Sequence, residues 1–457
     1  MTGHDRAGHG RGDRPSAGGG RERGRDQKIT AEKTTTVSHA GTALDPSRGP
    51  AASAMPWLRS YQDVVDVFRS KDFIQGGGGR RDSKPIIGDG VLSLAGTDHF
   101  ERRRLESVLF RRPSLRFFEG EVLAPSLAAE LARAVAGRGP DGVVRTELSQ
   151  LLRATFRRVS AAFWGIDDVD TPARAERFLH YLDMIGPAGD VEWESKDHRE
   201  VVGIGLHYLA LFDQEFFTPS RQRREALIAA HREGRLPAES LPHDLITVML
   251  RHREHFAKWD DGVFLRELIL FAPGASVIRV VPHIVNELAE WVEQHPKDEA
   301  LLQDVTFLRR ASNESLRLHP VSPFFIRKAE RDTVLGSGRA FSAGSYVVLD
   351  IIAACRDPDV FGGDANEFNP HRVAAIPIKP TGLAFGDGPH TCIGMAMSIG
   401  EASSDDEESD GSVGFVVHVL RELYRAGVRR DPDHPPGWND ANVRNEYAEY
   451  PVRLERL

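Results

Sequence analysis

A chain of 457 residues, 40% hydrophobic and 28% charged, has the make-up of a globular protein large enough to bury an extensive core. A formal net charge of −8 excludes a general nucleic-acid binder, which needs a basic face, and two cysteines, Cys355 and Cys392, exclude a disulfide framework and point to a reducing compartment. No run approaches the roughly 20 apolar residues of a membrane span, and the N-terminus lacks the charged-then-apolar layout of a signal peptide, so a soluble, cytoplasmic protein is expected.

Residues 1–35 are rich in Gly, Arg, Asp and Ser and almost devoid of large apolar side chains. They cannot repay the entropy of ordering and read as a disordered tail, which leaves 36–457 as one large domain. Order is expected to begin near Pro56, because Tyr61 to Phe68 carries apolar residues at helical spacing. Phe73 to Arg80 contains four consecutive glycines and reads as a loop without a regular element. Asp98 reads as the N-cap of a basic helix, on which His99 and Arg103, four residues apart, share a face. From Glu121 to about Arg253 the pattern is amphipathic helix, broken at Gly137 to Pro140, at Gly186-Pro187 and at Leu236-Pro237. That part is scaffold.

Phe264 to Val292 reads as one long helix, apolar nearly all round in its first half and therefore a buried central element. Pro273 and Pro282 leave the carbonyls of Ile269 and Ile278 without their helical donors, so kinks are expected there. Glu314 and Arg317 share a face of an amphipathic stretch that ends at Pro320. Ile326-Arg327 and Tyr346 to Ile351 have the character of strands, and Phe324 and Phe325 read as core. Six acidic residues between Glu401 and Asp410 repel one another and read as a solvated insertion, about 401–411. Gly414 to Leu457 restores an apolar helix and closes on the strand-like Tyr450 to Arg453.

The most constrained stretch is Phe385-Gly386-Asp387-Gly388-Pro389-His390-Thr391-Cys392-Ile393-Gly394. Gly386 and Gly388 permit dihedrals that a side chain forbids, so the loop can turn sharply and aim N–H groups at the sulfur. A lone thiol at the start of a helix, here Met395 to Ile399, sits in positive potential that favours thiolate, and a thiolate can hold a metal. Gly394 lets that helix pass close to a flat ligand. The competing reading is a buried structural cysteine in a tight turn.

This stretch fills every position of F-x-x-G-x-H-x-C-x-G and resembles the cysteine-ligand loop of the cytochrome P-450 family, whose thiolate is the axial ligand of haem iron. The resemblance runs from about Pro56 to the C-terminus. It implies a mainly α fold with a small β-region, the cytochrome P-450 fold, and haem b (iron protoporphyrin IX) held on Cys392 by a loop shaped by Phe385, Gly386 and Gly394. It further implies that His99, Arg103, Arg327 and His390 clamp the haem, the arginines through its propionates. Glu314 and Arg317 join Arg372, from Glu367-Phe368-Asn369-Pro370-His371-Arg372, in a buried charged network behind the loop. Met184 to Trp193 corresponds by order to the lid region of the family.

Two departures bear on function. Family members commonly place an acid and a threonine in the central helix, and the nearest match is Ala272-Pro273-Gly274-Ala275-Ser276, with Gly274, Ala275 and Ser276 as the groove residues and the acid missing. A shift of one turn puts Val280 in the alcohol position beside Arg279, again without the pair. Splitting dioxygen requires two protons at the distal oxygen, so protons arrive through water or substrate groups, or the oxidant is peroxide, or no oxygen is activated. The second departure is the acidic insertion, near the face where redox partners dock in the family, which would repel an acidic ferredoxin. The resemblance implies a monooxygenase that hydroxylates or epoxidises a lipophilic small molecule in secondary metabolism, with a ferredoxin-type or flavin-type electron donor. Peroxide-driven or redox-neutral chemistry, and a catalytically idle haem-binding subunit, are the alternatives.

Overall fold

The structure is a computed structural model that describes residues 55–76, 82–194, 196–255, 260–374, 377–400, 412–440, 444 and 446–457. The N-terminal tail, three of the four consecutive glycines and the acidic insertion lie outside the described residues. All described residues belong to one compact unit. Helices dominate, and their apolar faces build the larger of two cores; the smaller core lies under a four-stranded sheet.

That sheet runs Trp57–Leu58, Tyr346–Asp350, Phe324–Ala329, Phe73–Gln75, with only the first pair parallel. Phe73–Gln75 is therefore a strand and not part of a loop: Gln75 pairs with Arg327, and the ladder bonds of the neighbouring strand outweigh the glycines that follow. A three-stranded antiparallel sheet joins Val144–Glu147, Pro451–Leu454 and Val428–Arg430, which ties the C-terminal strand to the first half of the chain. The basic helix runs Gly96–Glu106 with Ala95 as its N-cap, so Asp98 lies inside the first turn. There its carboxylate meets the positive end of the helix dipole without capping it.

The central element is two helices, Asp261–Leu270 and Ala275–Gln294, where the sequence suggests one. Pro273 has no N–H to donate, and Gly274 adopts φ +95° beside Phe156, whose Cδ1 lies 2.2 Å from where a Cβ would stand. Side chains of helix Leu148–Trp164 take up carbonyls of the break: Trp164 Nε1 donates to Phe271 O, and Ser160 Oγ donates to Pro273 O at 3.1 Å. Pro282 is accommodated within the second helix, among Val280, Val281, Ile284 and Val285, all buried. Taken whole, Asp261–Gln294 is long and apolar enough to cross a membrane, which corrects the expectation that no such run exists. It is divided at the break, and 56% of its apolar window is buried within the fold.

After Cys392 the short helix Met395–Ile399 ends at Gly400, and helix Phe415–Arg425 starts after Gly414. The two glycines abut, since a Cβ on Gly414 would lie 2.1 Å from Gly400 N. Glu119 holds the returning limb, accepting from Ser412 Oγ, from Gly414 N at 3.0 Å and from Val413 N at 3.3 Å.

Candidate active site around Cys392

The cysteine loop closes on itself through Cys392 N, which donates to Phe385 O at 2.8 Å. Gly388 at φ +66° lets the loop pass against the first helix, where a Cβ would lie 2.3 Å from Phe68 O. The Cys392 side chain is exposed, yet burial pushes its thiol pKa up. The Gly394 N–H and the Arg103 guanidinium act the other way, towards thiolate.

Nitrogen-bearing side chains from three elements converge beside the sulfur. Arg103, from the basic helix, donates through Nη2 to Thr391 O at 2.5 Å. One turn back on that helix, His99 is buried and lays its ring 3.9 Å from that of His390. Arg327, from the sheet, donates to Ile326 O at 3.0 Å and carries its guanidinium over Phe68 and Phe325. Burial, then the charges of His99, Arg327 and Arg103, drive the His390 pKa down to about 3. His390 Nδ1 is buried without a hydrogen-bond partner among the described residues. The charges acting on this imidazole are all positive. A group carrying two carboxylates fits such a rim, supplying the missing acceptor and balancing the charge.

Glu314, Arg317 and Arg372 form a compact cluster. Arg317, fully buried, grips Glu314 through two bonds of 2.8 and 2.7 Å, and Arg372 Nε donates to the same carboxylate at 2.8 Å. Of the other donors, Arg317 reaches Cys355 O and Ala365 O, and Arg372 reaches Phe361 O, Asp364 O and, at 2.6 Å, the Asp364 carboxylate. The Arg317 stem lies 3.5 Å from where a Cβ of Gly382 would stand, just before the cysteine loop.

The proposed groove residues are placed differently. Gly274 is packed on Phe156, Ser276 is half-buried in the first turn of the second central helix, and Ala275 lines a cavity that none of Cys392, His99, Arg103, Arg327 and His390 lines. In the shifted register Val280 is buried, and Arg279 is tied to Asp190 at 2.8 Å and Glu446 at 3.0 Å. Sequence reasoning missed a second buried cluster. Glu267 is fully buried and accepts from Val91 N and from Arg102 Nη1 at 2.9 Å. Glu106, also fully buried, has no donor among the described residues; burial and then the charge of Glu267 raise its pKa well above the usual carboxylate value. The i,i+4 spacing of Arg102 and Glu106 was the only local sign of this cluster.

The family described as Cytochrome P-450 matches residues 280–403. Cytochrome P-450 52A4 of Candida maltosa is 30% identical over 176 residues, 34% of this chain and 31% of that relative. Cyclooctat-9-en-7-ol 5-monooxygenase of Streptomyces melanosporofaciens is 24% identical over 394 residues, 79% of this chain and 80% of that relative. The solved structure of CYP154A1 from Streptomyces coelicolor A3(2) superposes with a TM-score of 0.63 at 18% identity, over 87% of this chain and 91% of that one. The chain spans about a third or less of the length of the first curated relatives it matches.

The fold is that of the solved cytochromes P-450. Residues 280–403 are similar to the cytochrome P-450 family, and that family implies haem bound through a cysteine thiolate. The exposed Cys392 sulfur, the unpartnered His390 nitrogen and the positive rim fit such a group with its two propionates.

Proposed function

We propose that this protein binds haem b through Cys392 and is a monooxygenase that hydroxylates or epoxidises a lipophilic small molecule. The observation that carries this reading is the exposed Cys392 with His99, Arg103, Arg327 and His390 gathered beside it. Bound there, haem supplies the electron-transfer and oxygen chemistry. Arg103 and the Gly394 N–H stabilise the Cys392 thiolate, and Arg103 and Arg327 orient the propionates by charge-assisted hydrogen bonds. Glu314, Arg317 and Arg372 fix the backbone from Cys355 to Glu367 behind the loop. The relative named Cyclooctat-9-en-7-ol 5-monooxygenase supports a lipophilic substrate and a place in secondary metabolism. Electrons come from a ferredoxin-type or flavin-type donor, and the two free cysteines accord with the reducing cytoplasm.

The central helix of this chain supplies no acid-threonine pair in either register, so proton delivery beside a bound haem would fall to water or substrate groups. Peroxide released per NAD(P)H consumed is therefore expected to be high, and tight coupling with the native substrate would contradict this groove reading. The same departure favours one second reading, peroxide-driven or redox-neutral chemistry. Product formed with peroxide alone, compared with NADPH, reductase and ferredoxin, separates the two. The primary test is spectroscopic: the reduced protein with carbon monoxide shows a thiolate-type spectrum that Cys392→Ala abolishes. A histidine-type carbonyl spectrum overturns the assignment.

A further inference from the structure

A cavity of about 240 Å³ lies between helix Leu148–Trp164 and the break in the central element. Much of its wall is apolar, with Phe156, Trp164, Leu182, Ile269 and Ile278 among the residues that form it. Three arginines, Arg153, Arg157 and Arg279, share that wall with two carboxylates, Asp183 and Glu446. Asp183 is taken by Arg153 at 2.5 Å, and Glu446 by Arg279 at 3.0 Å. Arg157 is left over. It is 7% exposed, its Nε has no partner, and it makes no hydrogen bond or ion pair among the described residues. The charges of Glu130 and Asp170 reach it without a bond, and Glu130 is hydrogen-bonded to Arg133.

Ser149, Arg153 and Arg157 follow one another at intervals of four on a single helix, so they stand along one stripe facing the cavity. Ser149 Oγ, on a residue only 5% exposed, is also without a partner. A buried guanidinium with no direct ion pair is costly, and its planar fork matches a carboxylate. Inorganic phosphate would satisfy the charge and leave the apolar wall uncovered. We infer that this cavity binds an amphipathic organic carboxylate, its head group on Arg157 and its apolar body along Trp164, Ile269 and Ile278. At the packing density of protein interiors, about 0.75, the space suits a ligand of roughly ten heavy atoms. The site is independent of the haem assignment, because Cys392 and its rim take no part in the lining.

The test is calorimetry on the full-length, haem-loaded protein with decanoate, decanol and inorganic phosphate as probes. Decanoate is expected to bind saturably, at least tenfold more tightly than decanol or phosphate. Arg157→Met strands no partner, so the variant stays folded, keeps its melting temperature and loses decanoate affinity at least tenfold. Ile278→Trp fills the cavity with the arginine intact and is expected to block decanoate as well. Equal affinity for decanol, equal affinity for phosphate, or decanoate binding unchanged in both variants overturns the inference.

Discussion

Two arginine-rich clusters serve the cysteine loop, and they are balanced in opposite ways. In the Glu314 cluster one carboxylate receives two guanidinium groups, Asp364 takes a further donor of Arg372, and others end on backbone carbonyls, so the group is closed. In the rim, Arg103, Arg327, His99 and His390 act on one another through positive charge, and the His390 Nδ1 ends on nothing among the described residues. A closed cluster is a brace, whereas an open one is a receptor. Composition cannot separate them, because both are arginines near an aromatic-lined loop.

Breaking the brace is expected to have the largest effect. Glu314→Ala leaves the fully buried Arg317 with no carboxylate and Arg372 with Asp364 alone, a loss of about 3–5 kcal/mol. Urea unfolding should show that loss with or without haem, and haem should not be retained on purification. A variant with wild-type stability would mean that the backbone carbonyls and Asp364 hold the arginines without it.

The rim should respond to an extent that depends on what fills it. Arg103→Ala removes one of the charges that depress His390 together with the bond to Thr391 O, effects of opposite sign, so the haem-free protein is expected to unfold at about the same urea concentration. The haem-loaded protein should lose about 1–3 kcal/mol of haem affinity, the worth of a charge-assisted hydrogen bond, read by transfer of haem to a competing acceptor. Equal destabilisation of both forms would make Arg103 a second brace and remove the contrast.

How much of this could be read from the sequence follows from distance along the chain. His99 with Arg103, Glu314 with Arg317, and the spacing from Phe385 to Gly394 are local patterns, and the structure places each set together. The strand Phe73–Gln75 depends on Arg327 and its neighbours, about 250 residues away. The break at Phe271–Gly274 is shaped by Phe156, Ser160 and Trp164, over a hundred residues upstream, so two prolines alone could not locate it. Glu106 and Glu267 meet only because the basic helix crosses the first central helix.

A third cluster, His319 with Glu287 at 2.8 Å and His283 stacked on His319 at 4.1 Å, sharpens the contrast through pH. Burial, then the charges of Arg356 and Arg317, lowers the His319 pKa to about 3, and burial raises that of Glu287 to about 7. Unfolded, they titrate near 6.5 and 4.3. Between those two values the folded chain holds one more proton on Glu287 and one fewer on His319, and the two effects cancel. Below that window only His319 contributes, so stability falls with falling pH, by at most ~1.4 kcal/mol per unit. Above it only Glu287 contributes, and stability falls slightly as pH rises to about 7. Difference curves against His319→Phe and Glu287→Gln should remove the acid limb and the neutral limb respectively.

The smallest effect is expected where the chain is most unusual. Residues 401–411 carry the acidic run, yet the structure already brings the limbs on either side of them together: Gly400 and Gly414 abut, and a Cβ on Gly400 would lie 3.1 Å from Ser412 O. Glu119 holds the returning limb from outside the run, through Ser412 Oγ and the Val413 and Gly414 N–H groups. Joining Gly400 directly to Ser412 therefore removes a loop whose closure is fixed at its base, and loop length enters stability only logarithmically, by about 0.6 kcal/mol per doubling. The shortened protein should melt within a few degrees of the full chain and keep its haem. Removing negative charge should at the same time speed reduction by an acidic ferredoxin, most clearly at low salt. Large destabilisation would show that the run braces the cysteine loop, and an unchanged reduction rate would show that the donor docks elsewhere.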